Sequence, residues 1–164
     1  PVALIYHRVG STSIKNTDDS TNSYIMGRNI RPFLNIPGHR TKYLQFTVVD
    51  FTTDVSTGDG KFYFHVPPEL DGMNLTYVHA EVITAGTTST TDIQIHNVTQ
   101  AADMLTTKLT VDSGETGSDT AATPAVIDTA NDDIATNDVL RGDVDAVSTT
   151  APKGLLVTLG VELP

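Results

Sequence analysis

A chain of 164 residues is long enough for one domain with its own hydrophobic core. It contains no Cys, which excludes disulfides and thiolate metal sites as its source of stability. Ten Lys and Arg against twenty Asp and Glu give a net charge of −10, which repels nucleic-acid phosphates.

Residues 1–41 read as an extended N-terminal arm. Val2-Ala3-Leu4-Ile5-Tyr6 suits a strand, and a polar stretch runs from Gly10 to Asn22. Tyr24-Ile25-Met26 and Phe33-Leu34-Asn35-Ile36 add apolar anchors with no period, and Pro32 and Pro37-Gly38 punctuate them. The segment is too apolar for a free linker and too irregular for a core, so it is expected to pack on something else. Arg8, Lys15, Arg28, Arg31 and Arg40 face only Asp18 and Asp19, making it mildly basic. Arg8, Arg28, Arg31, Phe33 and Arg40 are the candidate anchoring residues. No charged-then-apolar leader marks a signal peptide and no apolar run is long enough for a membrane span; the expectation is a soluble chain whose Pro1 follows an excised Met.

Residues 42–164 read as a β-sandwich domain. Thr, Val and Ile are abundant, and they suit a pleated surface better than a helix. From Tyr43 to Phe51, alternation places Leu44, Phe46 and Val48 on one face. Gly58-Asp59-Gly60 reads as a turn, and Phe62, Phe64 and Val66 share the next face until Pro67-Pro68. Glu69 to Met73 reads as a turn or short helical piece. Leu75 to Thr84 groups Val78, Ala80 and Val82, and Ala85 to Ser89 reads as a hairpin connection to Asp92–Val98, with Ile93 and Ile95 inward. Leu105, Leu109 and Val111 form a further run; Leu140, Val144 and Ala146 another; and Leu155, Val157, Leu159, Val161 and Leu163 the last. These runs, with no helical period, predict an all-β, antiparallel two-sheet sandwich, jelly-roll-like.

The stretch 112–138 breaks that rhythm. It is acidic and rich in Gly, Ser, Thr and Ala, and a loop of this length is expected to be functional or packed on a neighbour. Ala125-Val126-Ile127 is expected to tack it to the core, and Asp132-Asp133-Ile134-Ala135 to form a single turn. Glu115, Asp119, Asp132 and Asp133 are its candidate contact residues. Asp128, Asp132, Asp133 and Asp138 have the oxygen chemistry of calcium ligands but not a calcium-loop spacing, so no metal or cofactor is assigned.

His7, His39, His65, His79 and His96 are scattered singly, with His65 and His79 on outward faces by alternation. A Ser-His-acid set assembles in space and leaves no local spacing to read. With no His pair at metal-ligand spacing and no catalytic motif in the sequence, the expectation is a structural or binding component, not an enzyme. Arg141-Gly142-Asp143 falls inside a predicted strand, where an integrin-type tripeptide is a coincidence. Asn74-Leu75-Thr76 and Asn97-Val98-Thr99 match the glycosylation pattern without a secretory leader. Tyr63 and Tyr77 fall on outward faces, where they can stack on a sugar ring or pack against a neighbour.

Several stretches carry a resemblance. They are Thr84-Ala85-Gly86-Thr87-Thr88, Thr91-Asp92-Ile93-Gln94-Ile95, Ala102 to Glu115, Val126 to Asp133, Asp143-Val144-Asp145-Ala146-Val147 and Lys153 to Leu159. Together they resemble a jelly-roll-like β-sandwich domain of tailed-bacteriophage virion structural proteins, over roughly residues 58–163. The resemblance implies a place on the particle surface, as a capsid decoration (cement) or head-fibre protein, or alternatively as the glycan-contacting tip of a tail fibre. It also implies a homotrimer, a partner such as the major capsid protein or another virion protein, a host surface glycan as a second possible ligand, and neither nucleic acid nor membrane as a partner. Gly142 stands where the family pattern has a large apolar residue, and Gly160 interrupts the last strand; both are read as subunit contacts or neutral drift.

Overall fold

The computed structural model describes residues 41–164, so the candidate anchoring residues Arg8, Arg28, Arg31, Phe33 and Arg40 lie outside the described part. The described chain forms eleven strands: β1 (Lys42–Asp54), β2 (Gly58–His65), β3 (Met73–Thr84), β4 (Thr91–Asn97), β5 (Ala102–Asp103), β6 (Leu105–Thr107), β7 (Leu109–Val111), β8 (Val126–Ile127), β9 (Asp133–Ile134), β10 (Val139–Ala146) and β11 (Lys153–Glu162). Among the described residues, no helix is long and apolar enough to cross a membrane.

One sheet has the order β1-β11-β3-β9 and the other β2-β10-β4-β5, with β7 also pairing on β4 and every pairing antiparallel. Taking those eight strands in chain order, the sheets read first-eighth-third-sixth and second-seventh-fourth-fifth. This is the double Greek key of a jelly roll. Successive long strands therefore alternate between sheets. The segment Ala85–Ser89 is not a hairpin: Thr84 pairs with Lys153 in one sheet, while Thr91 pairs with Val111 in the other.

The core lies between the sheets. Alternation drives Leu155, Val157, Leu159 and Val161 inward from β11, and Ile93, Ile95, Leu140 and Val144 inward from the facing sheet. Phe46 of β1 stacks on Phe62 of β2, with ring centroids 4.5 Å apart, and meets Phe64 edge-on at 5.6 Å, so aromatic contacts join the sheets at one side.

Elsewhere the expected elements change. Along β3 the inward parity switches: Met73 and Leu75 are buried before Thr76, Ala80 and Val82 after it. Thr76 is an extra residue opposite β11, where Gly160 faces Tyr77 and Val161 faces Leu75, and such a bulge inverts the alternation. The expected helical piece at Glu69–Met73 is a 3-10 turn at Pro68–Leu70, and Met73 already belongs to β3. The run Leu105–Val111 divides at Lys108 because its halves take different partners, Ile127 and Val126 for β6 and Thr91 to Ile93 for β7. Asp133-Ile134 is a strand rather than a turn, held by pairing with Met73 and Asn74. Ala146 is half-exposed, since the register of β10 shifts between Val144 and Ala146. Gly58-Asp59-Gly60 opens β2 itself.

Gly142 and Gly160 both have intramolecular reasons. Gly142 is buried on the inner face of β10, and a Cβ there would fall within the Phe62 ring. Phe62 occupies the volume that a large side chain at 142 would take. Gly160 faces outward between Tyr43 and Tyr77, and a Cβ there would lie 2.8 Å from Tyr77 Cβ and 3.2 Å from Tyr43 Cε1.

Candidate functional site

Among the described residues, β3 has no partner strand on its outer side beyond the short pairing with β9. The chain that follows β7 runs along this edge and satisfies part of it. Val82 N–H donates to Thr116 O at 2.8 Å, Glu81 bridges Gly117, and Ala80 N–H donates to Ser118 Oγ at 2.9 Å. Gly117 permits the approach, because a Cβ there would lie 3.1 Å from Glu81 Oε2. Ser118 then opens a 3-10 turn through Thr120.

The same pinning carries side chains together. Alternation along β3 turns Tyr77, His79 and Glu81 to the outer face. Ser118 Oγ lies 3.3 Å from His79 Nδ1, and His79 Nε2 lies 3.3 Å from Glu81 Oε2. These hydrogen bonds assign the proton positions. Ala80 N–H donates to Ser118 Oγ, and the Glu81 carboxylate, an acceptor only, takes the proton of Nε2. In the neutral ring that leaves Nδ1 as the acceptor for the Ser118 hydroxyl proton. Tyr77 extends the platform, with its ring 6.4 Å from that of His79 and inclined by 23°. Tyr43 meets Tyr77 edge-on at 5.7 Å above Gly160.

A cleft of about 310 Å³ opens beside this group. Its wall is the Thr76–His79 edge, its apolar floor is Leu109 and Ile127, and its rim carries Ser118, Asp119 and Pro124. A second, shallower cleft of about 530 Å³ continues past Glu81, Glu115 and Thr120.

The expected loop contacts separate into two pairs. Glu115 and Asp119 line the second cleft, where Glu115 accepts from Thr120 Oγ1. Asp132 and Asp133 sit at the other end of β3: Asp132 accepts from Asn74 Nδ2 at 3.0 Å, and Asp133 lies exposed in β9. The remaining acids weighed for calcium bind their own chain. Asp128 accepts from Ala130 N–H and Asn131 Nδ2, while buried Asp138 accepts from Asn97 Nδ2, Gln100 Nε2 and Ala135 N–H. Among the described residues, no three His, Asp or Glu side chains converge on a metal position.

Tyr63 and Tyr77 are both exposed, at 62% and 42%, but they occupy different sheets and share no surface. Arg141 lies within β10, bound to Asp143 at 2.8 Å, and Asp143 also accepts from Gly60 N–H at 2.7 Å. That pairing pushes the Arg141 pKa up, while the backbone pairing of β10 with β2 and β4 keeps the tripeptide in the sheet. Asn97 is fully buried, which closes one glycosylation motif in the folded chain. Sequence reasoning placed Tyr77 and His79 outward but did not select Ser118 or Glu81. Glu81 was readable as the next outward residue after His79; Ser118 was not, because it reaches β3 from 39 positions away in sequence.

No family model, curated protein or solved structure matches the chain, so the fold rests on its strand order and the site on its own side chains.

Proposed function

We propose that this chain is a virion structural protein of the particle surface, a capsid decoration (cement) or head-fibre protein anchored by residues 1–41. The observation that carries the reading is the outer face of the β1-β11-β3 sheet. Tyr43 is 64% exposed, Phe51 55% and Ile83 50%, with Tyr77 beside Tyr43. Tyr43 and Tyr77 close over Gly160 near one end of β11, while Ile83 and the Phe51 backbone close over Gly154 near the other. An exposed aromatic pair such as Tyr43 and Tyr77 on the open face of a jelly roll suits packing against another subunit. The family resemblance of the quoted stretches supports the same reading, and it supplies the trimer and the capsid-protein partner.

Deletion of residues 1–40 is expected to preserve the sandwich by circular dichroism and thermal melting while abolishing association with particles. Normal incorporation of the shortened chain overturns the anchoring role. Light scattering of the intact protein at micromolar concentration is expected to give three times 17.5 kDa, and a monomer removes the trimer.

A second reading, the glycan-contacting tip of a tail fibre, is favoured by the Tyr77 and His79 rings beside the Asp119 carboxylate at the first cleft. An electron-microscopy map of intact particles separates the two. Many copies across the shell support decoration; a few copies at the tail, with binding on a glycan array, support the fibre tip.

A further inference from the structure

We propose that Ser118, His79 and Glu81 form a nucleophilic-serine site that hydrolyses small carboxylic esters in the adjoining cleft. This goes beyond the structural role and does not rest on it. Three features carry it. With the neutral His79 ring donating from Nε2 to Glu81, Nδ1 faces Ser118 Oγ as the acceptor for its proton. Ala80 N–H, 2.9 Å from Ser118 Oγ, stabilises negative charge developing on that oxygen. The cleft beside Ser118 is of small-ligand size, with an apolar floor of Leu109 and Ile127 for a short acyl chain.

The oxyanion donor follows from strand geometry. Ala80 and Val82 direct their N–H groups to the outer edge, and Val78, two residues before Ala80, points its N–H to the same side, where no strand among the described residues pairs with it. Val78 lines the cleft, so this N–H is available to a substrate carbonyl oxygen.

The reaction needs only water as a second reactant. Ser118 Oγ bonds to the ester carbonyl carbon as its proton passes to His79 Nδ1. The tetrahedral adduct collapses, breaking the bond to the alkoxy oxygen, which takes the proton from His79 and leaves as an alcohol. Water then adds to the acyl-serine, giving a proton to Nδ1. The second collapse breaks the bond to Ser118 Oγ, which recovers the proton, and the carboxylic acid departs. Ser118 and His79 are the catalytic residues; Glu81 acts through His79 and is a positioning residue.

The test uses the full chain with an alkyl fluorophosphonate, which forms a bond from Ser Oγ to phosphorus and expels fluoride. One adduct is expected, mapped by peptide mass spectrometry to Ser118 and absent from Ser118→Ala. With p-nitrophenyl acetate, His79→Gln is expected to lower kcat/KM by about 100-fold. Glu81→Gln is expected to lower kcat by about 10-fold with KM and Tm unchanged, a split that loss of folding does not produce. The absence of any adduct on the folded wild-type chain overturns the proposal. So does equal labelling of Ser118 in folded His79→Gln, which holds as a test even if Ser118→Ala loosens the loop.

Discussion

At Gly142 a single missing Cβ organises the contact between the sheets. The Phe62 ring fills the space above it and stacks on Phe46. The alternation of β10 identified position 142 as inward, but the sequence around it could not say that Phe62, from a strand distant in the chain, supplies the missing bulk. A Cβ at this position forces the ring out of its stack, and overpacking of this kind costs about 1–3 kcal/mol. Gly142→Ala is therefore expected to lower stability by about 2 kcal/mol in urea unfolding. Combined with Phe62→Leu, the cost is expected to be less than the sum of the two single changes, because both act on one volume. Strict additivity would show that the ring does not occupy the position.

Elements were legible where one face alternates without interruption. Leu155, Val157, Leu159 and Val161 declared β11, and Phe62, Phe64 and Val66 declared β2 and its end. Legibility failed where a partner rather than a pattern decides the structure. β9 has two residues and no period of its own; it is a strand because Met73 and Asn74 offer it an edge. The parity switch at Thr76 likewise depends on the register of β11. The candidate site shows the same division, since Tyr77 and His79 follow from alternation whereas Ser118 arrives through the loop's hydrogen bonds to β3.

Asp138 shows how side chains hold such short elements. Its Oδ2 accepts from Asn97 Nδ2 at 2.9 Å, Gln100 Nε2 at 2.9 Å and Ala135 N–H at 3.0 Å, joining β4, the turn after it and the approach to β10. Asp138→Ala strands the buried Asn97 amide and is expected to cost about 3 kcal/mol, with faster amide exchange at Ala135. Asp71 makes a looser link, accepting from Thr136 N–H at 2.7 Å, and this bond lowers its pKa. A depressed folded pKa adds stability above the ordinary aspartate range, and that increment is lost as pH falls through the depressed value. A carboxyl NMR titration of Asp71 is expected to give a midpoint below the ordinary range, and Asp71→Asn to remove its share of the acid dependence. An ordinary midpoint refutes the link.

The topology of the whole molecule makes its two ends of the described fold interdependent. β11 lies between β1 and β3, pairing Lys42 with Val161 and Glu162 with Asn74. The first strand of the sandwich thus has no sheet to join until the last has formed. Such long-range closure predicts refolding in milliseconds to seconds rather than microseconds. Energetics point the same way. Leu155, Val157, Leu159 and Val161 are completely buried, and at about 1.5–3 kcal/mol each they contribute roughly 6–12 kcal/mol. That is comparable with the entire stability of an ordinary domain, about 5–15 kcal/mol. A chain ending at Pro152 is therefore expected to lack the cooperative melt and the β-type circular dichroism of the intact protein. Because the missing piece is one strand lying in a groove between two others, a synthetic peptide of residues 153–164 is expected to restore both signals on mixing. A cooperative melt without the peptide would show that β1 and β3 close directly on each other, a pairing that the present strand order forbids.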